Sequence, residues 1–552
     1  MSNTTLINQL AKKEPTKEQI AIIENENNRV VIAVPGSGKT YTLSLIIKNT
    51  LSDLPSYKGV IAISYTNKAS DELKNRSLEG SIDHKCSYFG TIDSFYNNEI
   101  IRPFLPRIWG YISKEVQIID FKNVEIIDPA DLEVLDKLNK KICSLDNQAL
   151  NILKKYYNKG FIFIELLGKL GLFVLEHSLS LQKYLKARYT HIIVDEYQDS
   201  GEEQHLLFLS LVRLGIIGIA VGDIDQSIFR WAGKDPQYLI NLSKQKNNFK
   251  TFTLSRNHRC HPSIVNYSMR LLSPNVELCK VEENRVFSWN IIGSQVEIAK
   301  RIDELLPKIK EKYNVSNNSD IGLLVRNDTS GSIVNKNLVT DHKYIKSTTL
   351  DSDSNIWSSI FVDVLFFIFN DKQSIQSFID KWIIHDLAQK IKSAIIKDLI
   401  YLRKINDGNF LDNIHIFKNI AQNLYPNQYS LKSLNLLKSV LENENNIYSY
   451  YPIKNNELQI MTLHKAKGLE FDIVFHLDLY NKVIPSKRAI DGNELDKKED
   501  LNLHYVGITR AKKCCLLVTS TQNYVNYQGK LNLWNAQPSI FLSINNLPSL
   551  RT

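Results

Sequence analysis

The chain has 552 residues, 43% hydrophobic and 23% charged, which is enough apolar content for a folded, soluble protein with about three to five cores of ordinary size. A net charge of +9 suits a polyanionic partner, but spread over this length it supports nucleic-acid binding only weakly. The six cysteines (Cys86, Cys143, Cys260, Cys279, Cys514, Cys515) show no C-x-x-C pair and no His/Cys ligand spacing, so neither a zinc nor an iron–sulfur site is indicated and a reducing cytoplasm is the simplest reading.

In chain order, the N-terminus is polar and carries no apolar signal core. The β-branched run 30–34 leads into Ala33-Val-Pro-Gly-Ser-Gly-Lys-Thr40. Pro35, Gly36 and Gly38 let the backbone wrap so that consecutive amides point at phosphate oxygens, and the helix that follows adds its positive N-terminal end. Lys39 then neutralises the β/γ-phosphates of a triphosphate and the Thr40 hydroxyl ligates magnesium, although Ala33 stands where the strict pattern has glycine. A second run, 60–64, ends at Tyr65-Thr-Asn-Lys68. Residues 96–188 are rich in Leu, Ile, Lys and Asn at helical spacing and are expected to be a helical insertion.

The run 191–194 ends in Asp195-Glu196, and 216–221 ends in Gly222-Asp223. Two carboxylates at the end of a buried strand cost too much unless they meet a cation, so Asp195 is expected to anchor magnesium and Glu196 to orient the attacking water. A second series of runs follows at 251–254, 321–325, 459–463, 472–477 and 515–519. Between them, 335–455 again has helical texture, and its apolar stretch 356–369, broken by Asp363 and too short to span a bilayer, is expected to be a buried helix. Runs that deliver polar residues at their carboxyl ends are the pattern of parallel α/β sheets. The lysine pairs at 154–155 and 512–513 read as solvated faces.

From residue 15 to about residue 519, these segments and their neighbours resemble, in order, the motifs of the superfamily 1 DNA helicases of the UvrD/Rep/PcrA type. Pro15-Thr-Lys-Glu-Gln19 resembles the glutamine motif, and the resemblance implies that Gln19 reads the adenine edge. Phe89-Gly-Thr-Ile-Asp-Ser-Phe95 resembles a DNA-contacting motif, which brings in Thr91. Val221-Gly-Asp-Ile-Asp-Gln-Ser-Ile-Phe-Arg-Trp231 resembles the segment whose glutamine, here Gln226, senses the γ-phosphate. Leu254-Ser-Arg-Asn-His-Arg259 and Tyr505-Val-Gly-Ile-Thr-Arg510 resemble the motifs that supply two γ-phosphate arginines, Arg259 and Arg510. Met461-Thr-Leu-His-Lys-Ala-Lys-Gly-Leu-Glu470 resembles the segment in which Glu470 binds the ribose while Thr462 and His464 face DNA.

The implied fold is α/β, with two RecA-like parallel-sheet cores, each carrying a mainly helical insertion. The first core is 1–95 with 189–249, its insertion 96–188; the second is 250–334 with 456–552, its compact insertion 335–455. The implied ATP site comprises Gln19, Pro35, Gly36, Ser37, Gly38, Lys39, Thr40, Tyr41, His258 and Glu470, with Lys39, Asp195, Glu196, Gln226, Arg259 and Arg510 catalytic and Mg2+ on Thr40 and Asp195. Tyr65, Phe229 and Trp231 would stack bases at roughly 1–3 kcal/mol each, while Thr66 and Asn67 hold the backbone. Arg326 is open between a DNA contact and a structural role.

Four positions depart from the family pattern: His258 replaces a tyrosine that stacks on adenine, Ala232 an arginine after the tryptophan, and Leu501-Asn502 a pair of arginines. None removes a phosphate, metal or water-activating group. The resemblance implies an ATP-dependent 3′-to-5′ DNA helicase or translocase acting on single-stranded, tailed or forked DNA. In length and in its phosphate loop the chain resembles the helicase subunits of Gabija anti-phage systems, which work with an OLD-family nuclease; no nuclease motif is expected within it. The alternatives are a stand-alone repair helicase and a DNA-activated ATPase that senses ends without processive unwinding.

Overall fold

The computed structural model describes residues 14–80, 82–114, 116–121, 126–140, 145–353, 355–382, 389–405, 410–426 and 429–552; the polar start of the chain (1–13) and Cys143 lie outside them. In chain order the strands are β1 (Arg29–Ala33), β2 (Gly59–Ile63), β3 (Tyr88–Gly90), β4 (Gln117–Ile119), β5 (Phe161–Phe163), β6 (Tyr189–Val194), β7 (Ile217–Gly222), β8 (Lys250–Leu254), β9 (Val286–Ile291), β10 (Ile321–Val325), β11 (His342–Tyr344), β12 (Leu458–Thr462), β13 (Phe471–His476), β14 (Ala511–Ser520), β15 (Gln522–Tyr527) and β16 (Lys530–Asn535).

Two six-stranded sheets, β3-β2-β6-β7-β1-β8 and β11-β12-β10-β13-β14-β9, are parallel throughout. A parallel sheet is covered on both faces by its crossover helices, so its inner strands must be apolar on both sides. Gly-Val-Ile-Ala-Ile in β2 and Ile-Gly-Leu-Leu-Val in β10 are buried at every residue. The resulting cores, one around Val31, Ile47, Val60 and Ile219 and the other around Ile302, Leu323, Ile473 and Leu516, are those of two RecA-like α/β cores.

Strand β8 corrects the expected boundary. It was expected to open the second core at residue 250, but it pairs in register with β1, from Arg29↔Lys250 to Ala33↔Leu254, and closes the first sheet. It is an edge strand with only Leu254 buried, so its outward residues carry no signal of which sheet they join. The second sheet also has two edge strands that were not anticipated, β9 and β11, both only partly buried.

Both sheets belong to one compact unit, which takes in the chain through Ile100, Val174–Tyr344 and Asn455–Thr552; a second unit takes in Ile101–Phe173 and Ile345–Lys454. The inserted segments are therefore shorter at their ends than 96–188 and 335–455, because the chain on either side of them packs with the sheets. Within the second unit β4 and β5 form a small parallel pair beside the helices of a mainly helical insertion. The apolar stretch is the helix Ile356–Phe369, with Trp357, Ile360, Phe361, Val364 and Leu365 fully buried. Asn355 caps it by accepting the Trp357 N–H at 2.9 Å, and Asp363 is paired with Lys381 at 2.6 Å and with the Trp382 indole N–H at 2.8 Å. No helix among the described residues is long and apolar enough to cross a membrane.

Candidate functional site

The turn after β1 has the geometry of an anion cradle. Gly36 (φ +67°) and Gly38 (φ +83°) are left-handed, and the helix Lys39–Asp53 begins at Gly38 without a side-chain cap, so its first-turn N–H groups are not spent on a side chain. A Cβ at Gly36 would stand 2.5 Å from Arg259 Cβ, so glycine is required there by space as well as by backbone conformation. Pro35 and Ser37 are buried, with the Ser37 hydroxyl donating to the Val34 carbonyl at 2.7 Å; Lys39 and Thr40 are partly exposed, and Tyr41 packs on the core of the first sheet.

Gln19 braces this loop. Its side-chain Oε1 accepts the Thr16 N–H at 2.9 Å in a reciprocal cap of the helix Lys17–Ile23, and its Nε2 donates to the Ser37 carbonyl at 3.2 Å. On the other side, the His258 backbone N–H donates to the Gly36 carbonyl at 2.8 Å while its side chain is exposed.

Asp195 and Glu196 leave β6 at the same carboxyl edge. Asp195 is buried and its Oδ1 accepts the Glu196 N–H at 2.9 Å. Burial and the neighbouring Glu196 charge push the Asp195 carboxyl upward, against the pull of Lys39. Burial acts on Glu196 too, but Lys39, Lys467, the Gln198 amide and Arg510 outweigh it and hold that carboxyl below its ordinary range. Glu196 sits at φ +54°, a conformation that costs a non-glycine residue energy and marks a position over-determined by its surroundings. Gln198, fully buried, provides part of that constraint: its Nε2 bonds Glu196 Oε2 and its Oε1 accepts the Asp223 N–H at 3.0 Å.

Asp223 is buried with Oδ2 unpartnered, and burial lifts its carboxyl to about 6 despite Lys39. Among the described residues, no three His, Cys, Asp or Glu side chains form a metal cage. A magnesium ion needs none, since it binds through one or two carboxylates, phosphate oxygens and water. A buried Asp195 whose charge is disfavoured, within electrostatic reach of Lys39 in the first turn of the helix Lys39–Asp53, fits such an ion.

The second sheet contributes cations. Arg510, at the end of the helix Glu494–Ile508, is buried; its guanidinium donates to the carbonyls of Val506 (3.1 Å) and Leu469 (3.2 Å) and to Gln226 Oε1 at 3.1 Å. Burial, together with Arg259, lowers it to about 10, so it stays cationic near neutral pH. The Gln226 Nε2 has no partner. Arg259 Nε donates to Glu470 Oε2 at 2.8 Å, so the expected phosphate arginine and the expected ribose carboxylate hold each other.

The expected nucleic-acid residues form an aromatic row. Tyr65, after β2, stacks on Phe229 at 4.9 Å between centroids; Trp231 and His464 lie 6.4 and 6.0 Å from the same ring. Trp231 is 74% exposed, far beyond what core packing leaves. Burial, with Arg326 and Lys467, lowers His464 to about 4, so it presents a neutral ring. The Thr66 and Thr91 hydroxyls accept the Ala69 and Ser94 N–H groups as helix caps, Asn67 begins the helix Asn67–Ser77, and Thr462 ends β12. Arg326 is held by Asp478 through its backbone N–H (2.8 Å) and reaches Asp500 at 3.9 Å. Tyr65, Thr91, Asp195, Glu196, Asp199 and Lys234 share a cavity of about 380 Å³.

Two of the segments that carry departures from the family pattern, around Asn502 and around Ala232, are tied to neighbours. Asn502 is buried and its Nδ2 donates to the Ser227 carbonyl at 3.0 Å, and the Arg230 N–H donates to Glu499 at 3.2 Å. Lys512 and Lys513, read as a solvated pair, both engage Asp472, at 3.0 and 2.8 Å. Three functional candidates were missed: Gln198, Asp199 and Lys467. The first two follow Asp195-Glu196 after one residue, Tyr197, and Lys467 lies inside the segment ending at Glu470, so the signal was position within a motif and not residue type.

Residues 16–232 match the model of an AAA domain, and residues 368–523 match the UvrD-like helicase C-terminal domain. The chain is 29% identical over 527 residues to the Gabija protein GajB of Bacillus cereus (strain VD045), covering 93% of this chain and 96% of that one. It is 26% identical over 454 residues to the ATP-dependent DNA helicase Rep of Buchnera aphidicola subsp. Schizaphis graminum, covering 67% of each. It is 23% identical over 644 residues to the ATP-dependent DNA helicase PcrA of Staphylococcus epidermidis, covering 97% of this chain and 87% of that one.

Proposed function

We propose that this chain, which belongs to the superfamily 1 DNA helicases of the UvrD/Rep/PcrA type, is an ATP-dependent 3′-to-5′ translocase on single-stranded DNA, acting in anti-phage defence with a nuclease partner. The observation that carries the motor reading is that groups suited to one γ-phosphate come from both sheets. Lys39, Glu196 and Gln226 follow strands of the first sheet, Arg510 follows a helix of the second core, and Arg259 lies against Gly36 on the chain that passes from one to the other.

In this reading the first core, 1–95 with 189–249 and extended by β8, and the second core, 255–334 with 456–552, close on a triphosphate. Lys39 and the phosphate-loop amides hold the β/γ-phosphates, Gln19 and His258 flank the base, and Glu470 exchanges Arg259 for the ribose. Thr40 and Asp195 would hold Mg2+, which neutralises phosphate charge when bound. Glu196 orients the attacking water, and Arg259 and Arg510 stabilise charge on the transferred group. Loss of that group removes the anion both arginines hold, so the cores part and shift their grip on a strand stacked along Tyr65, Phe229, Trp231 and His464. Thr66, Asn67, Thr91 and Thr462 border the same track.

The defence setting is supported by likeness to a Gabija protein over 93% of this chain. Bulk displacement from a 3′-tailed duplex but not a 5′-tailed one is expected. ATP hydrolysis stimulated by single strands without displacement would overturn the translocase in favour of an end-sensing ATPase. Loss of phage protection in Lys39→Ala, and capture of a nuclease by the tagged chain in its native cell, test the defence role. Protection that survives the substitution would remove it.

A further inference from the structure

Lys467 lies in the segment between β12 and β13, and its ammonium meets three groups that belong to different parts of the site. It pairs with Asp199 Oδ2, it donates to the Gln226 backbone carbonyl at 2.5 Å, and it lies 5.0 Å from the centroid of the Phe229 ring. Asp199 belongs to the turn of Glu196, to whose carbonyl its N–H donates at 2.9 Å. Gln226 is the residue whose side chain is held by Arg510, and Phe229 is the centre of the aromatic row. The lysine side chain is 9% exposed and the Asp199 side chain 0%, with Asp199 Oδ1 unpartnered.

A buried ion pair is weak evidence of a stabilising role, since apolar residues of similar size are often as stable or more so. What the pair supplies here is connection. A buried ammonium has no water to turn to, so displacement of the Phe229 ring, the Gln226 carbonyl or the Asp199 carboxylate is felt by the other two. A base stacking on Phe229 and Tyr65 acts on one of these contacts, and a γ-phosphate drawing on Gln226 acts on another.

We propose that Lys467 is a positioning residue that couples occupancy of the single-strand track to the placement of Glu196, and so transmits nucleic-acid stimulation to ATP hydrolysis. This rests on the reading of the chain as a DNA-dependent ATPase. It differs from a purely structural role in that the coupling depends on a cation at this point and not on neutralising Asp199.

The test uses the full chain and three variants: Lys467→Met, Lys467→Arg, and the double variant Asp199→Asn with Lys467→Met. ATP turnover is measured without nucleic acid and with saturating oligo(dT), and oligo(dT) affinity with and without a non-hydrolysable ATP analogue. In Lys467→Met the ratio of stimulated to unstimulated kcat is expected to fall about tenfold or more, while KM for ATP and affinity for oligo(dT) alone stay within about twofold, and the analogue no longer alters oligo(dT) affinity. The arginine variant is expected to recover part of the ratio. The double variant, free of the unpaired carboxylate, is expected to regain thermal stability but stay uncoupled, and it decides the matter should Lys467→Met fail to fold. Normal stimulation in either methionine variant, with the wild type stimulated, overturns this inference alone. A wild type that oligo(dT) does not stimulate overturns the functional reading and this inference with it.

Discussion

The Arg510 guanidinium donates to Gln226 Oε1 at 3.1 Å, joining the end of the helix Glu494–Ile508 in the second core to the turn that follows β7 in the first. Both groups are buried, and the amide Nε2 on the other side of Gln226 has no partner. One sheet thus supplies an amide with an unused donor and the other a cation, at the point where a phosphoryl group would be shared.

Replacing Arg510 by Ala should lower kcat for ATP by about 10³-fold or more, the scale of losing an arginine that stabilises phosphoryl-transfer charge. Lys should rescue little, because an ammonium cannot reach Gln226, Val506 and Leu469 together. Steady-state turnover with saturating oligo(dT), set beside unchanged oligo(dT) affinity, checks both.

Glu196→Gln should retain ATP binding and lose about 10²–10⁴-fold in turnover, as expected when a water-orienting base is removed. Gln keeps a side-chain oxygen to accept the Gln198 amide that helps hold the strained φ of +54°, so the melting temperature should fall only slightly. Equilibrium nucleotide binding together with single-turnover hydrolysis separates the two effects.

Asp223→Asn should stabilise the protein at pH 8 and give no advantage at pH 4. Burial raises the folded-state carboxyl from 3.8 to about 6, so the folded state binds the proton more tightly than the unfolded chain. Its ionisation therefore costs stability as pH rises from about 4 to 6, by up to about 3 kcal/mol. Asn keeps an oxygen to accept the Asp225 N–H, which Asp223 Oδ1 now accepts at 3.1 Å. Denaturant midpoints of both proteins across this range test the sign.

Trp231→Ala should weaken oligo(dT) binding by roughly 1–3 kcal/mol, the value of one stacked base, and leave thermal stability unchanged because the indole is 74% exposed. Phe229→Ala should lower both, since that ring also packs on Tyr65 and lies beneath the Lys467 ammonium. Equal loss of stability in the two variants would contradict the assignment of Trp231 to the track.

The phosphate loop, the Asp195-Glu196 pair and the buried helix Ile356–Phe369 were legible because each is local. Apolar runs must be strands or helices, and the polar residues that end them are exposed to whatever lies at the sheet's carboxyl edge. Strands β8, β9 and β11 were misplaced or overlooked because edge strands are half solvated and show no continuous apolar run. The Asp199–Lys467 pair was invisible for another reason: each residue is an ordinary charge until burial removes the water that would otherwise serve it.

The sequence by itself determined which groups are present and how they lie along the chain, since a glycine loop, a carboxylate pair and two arginines are set by residue type and neighbours a few positions away. Only the tertiary structure decided which groups meet. Arg510 reaches Gln226, Arg259 holds Glu470 and Lys467 spans Asp199 and Phe229 across separations of 284, 211, 268 and 238 residues. Contacts at such range follow from the packing of whole sheets, which no local pattern of side chains encodes.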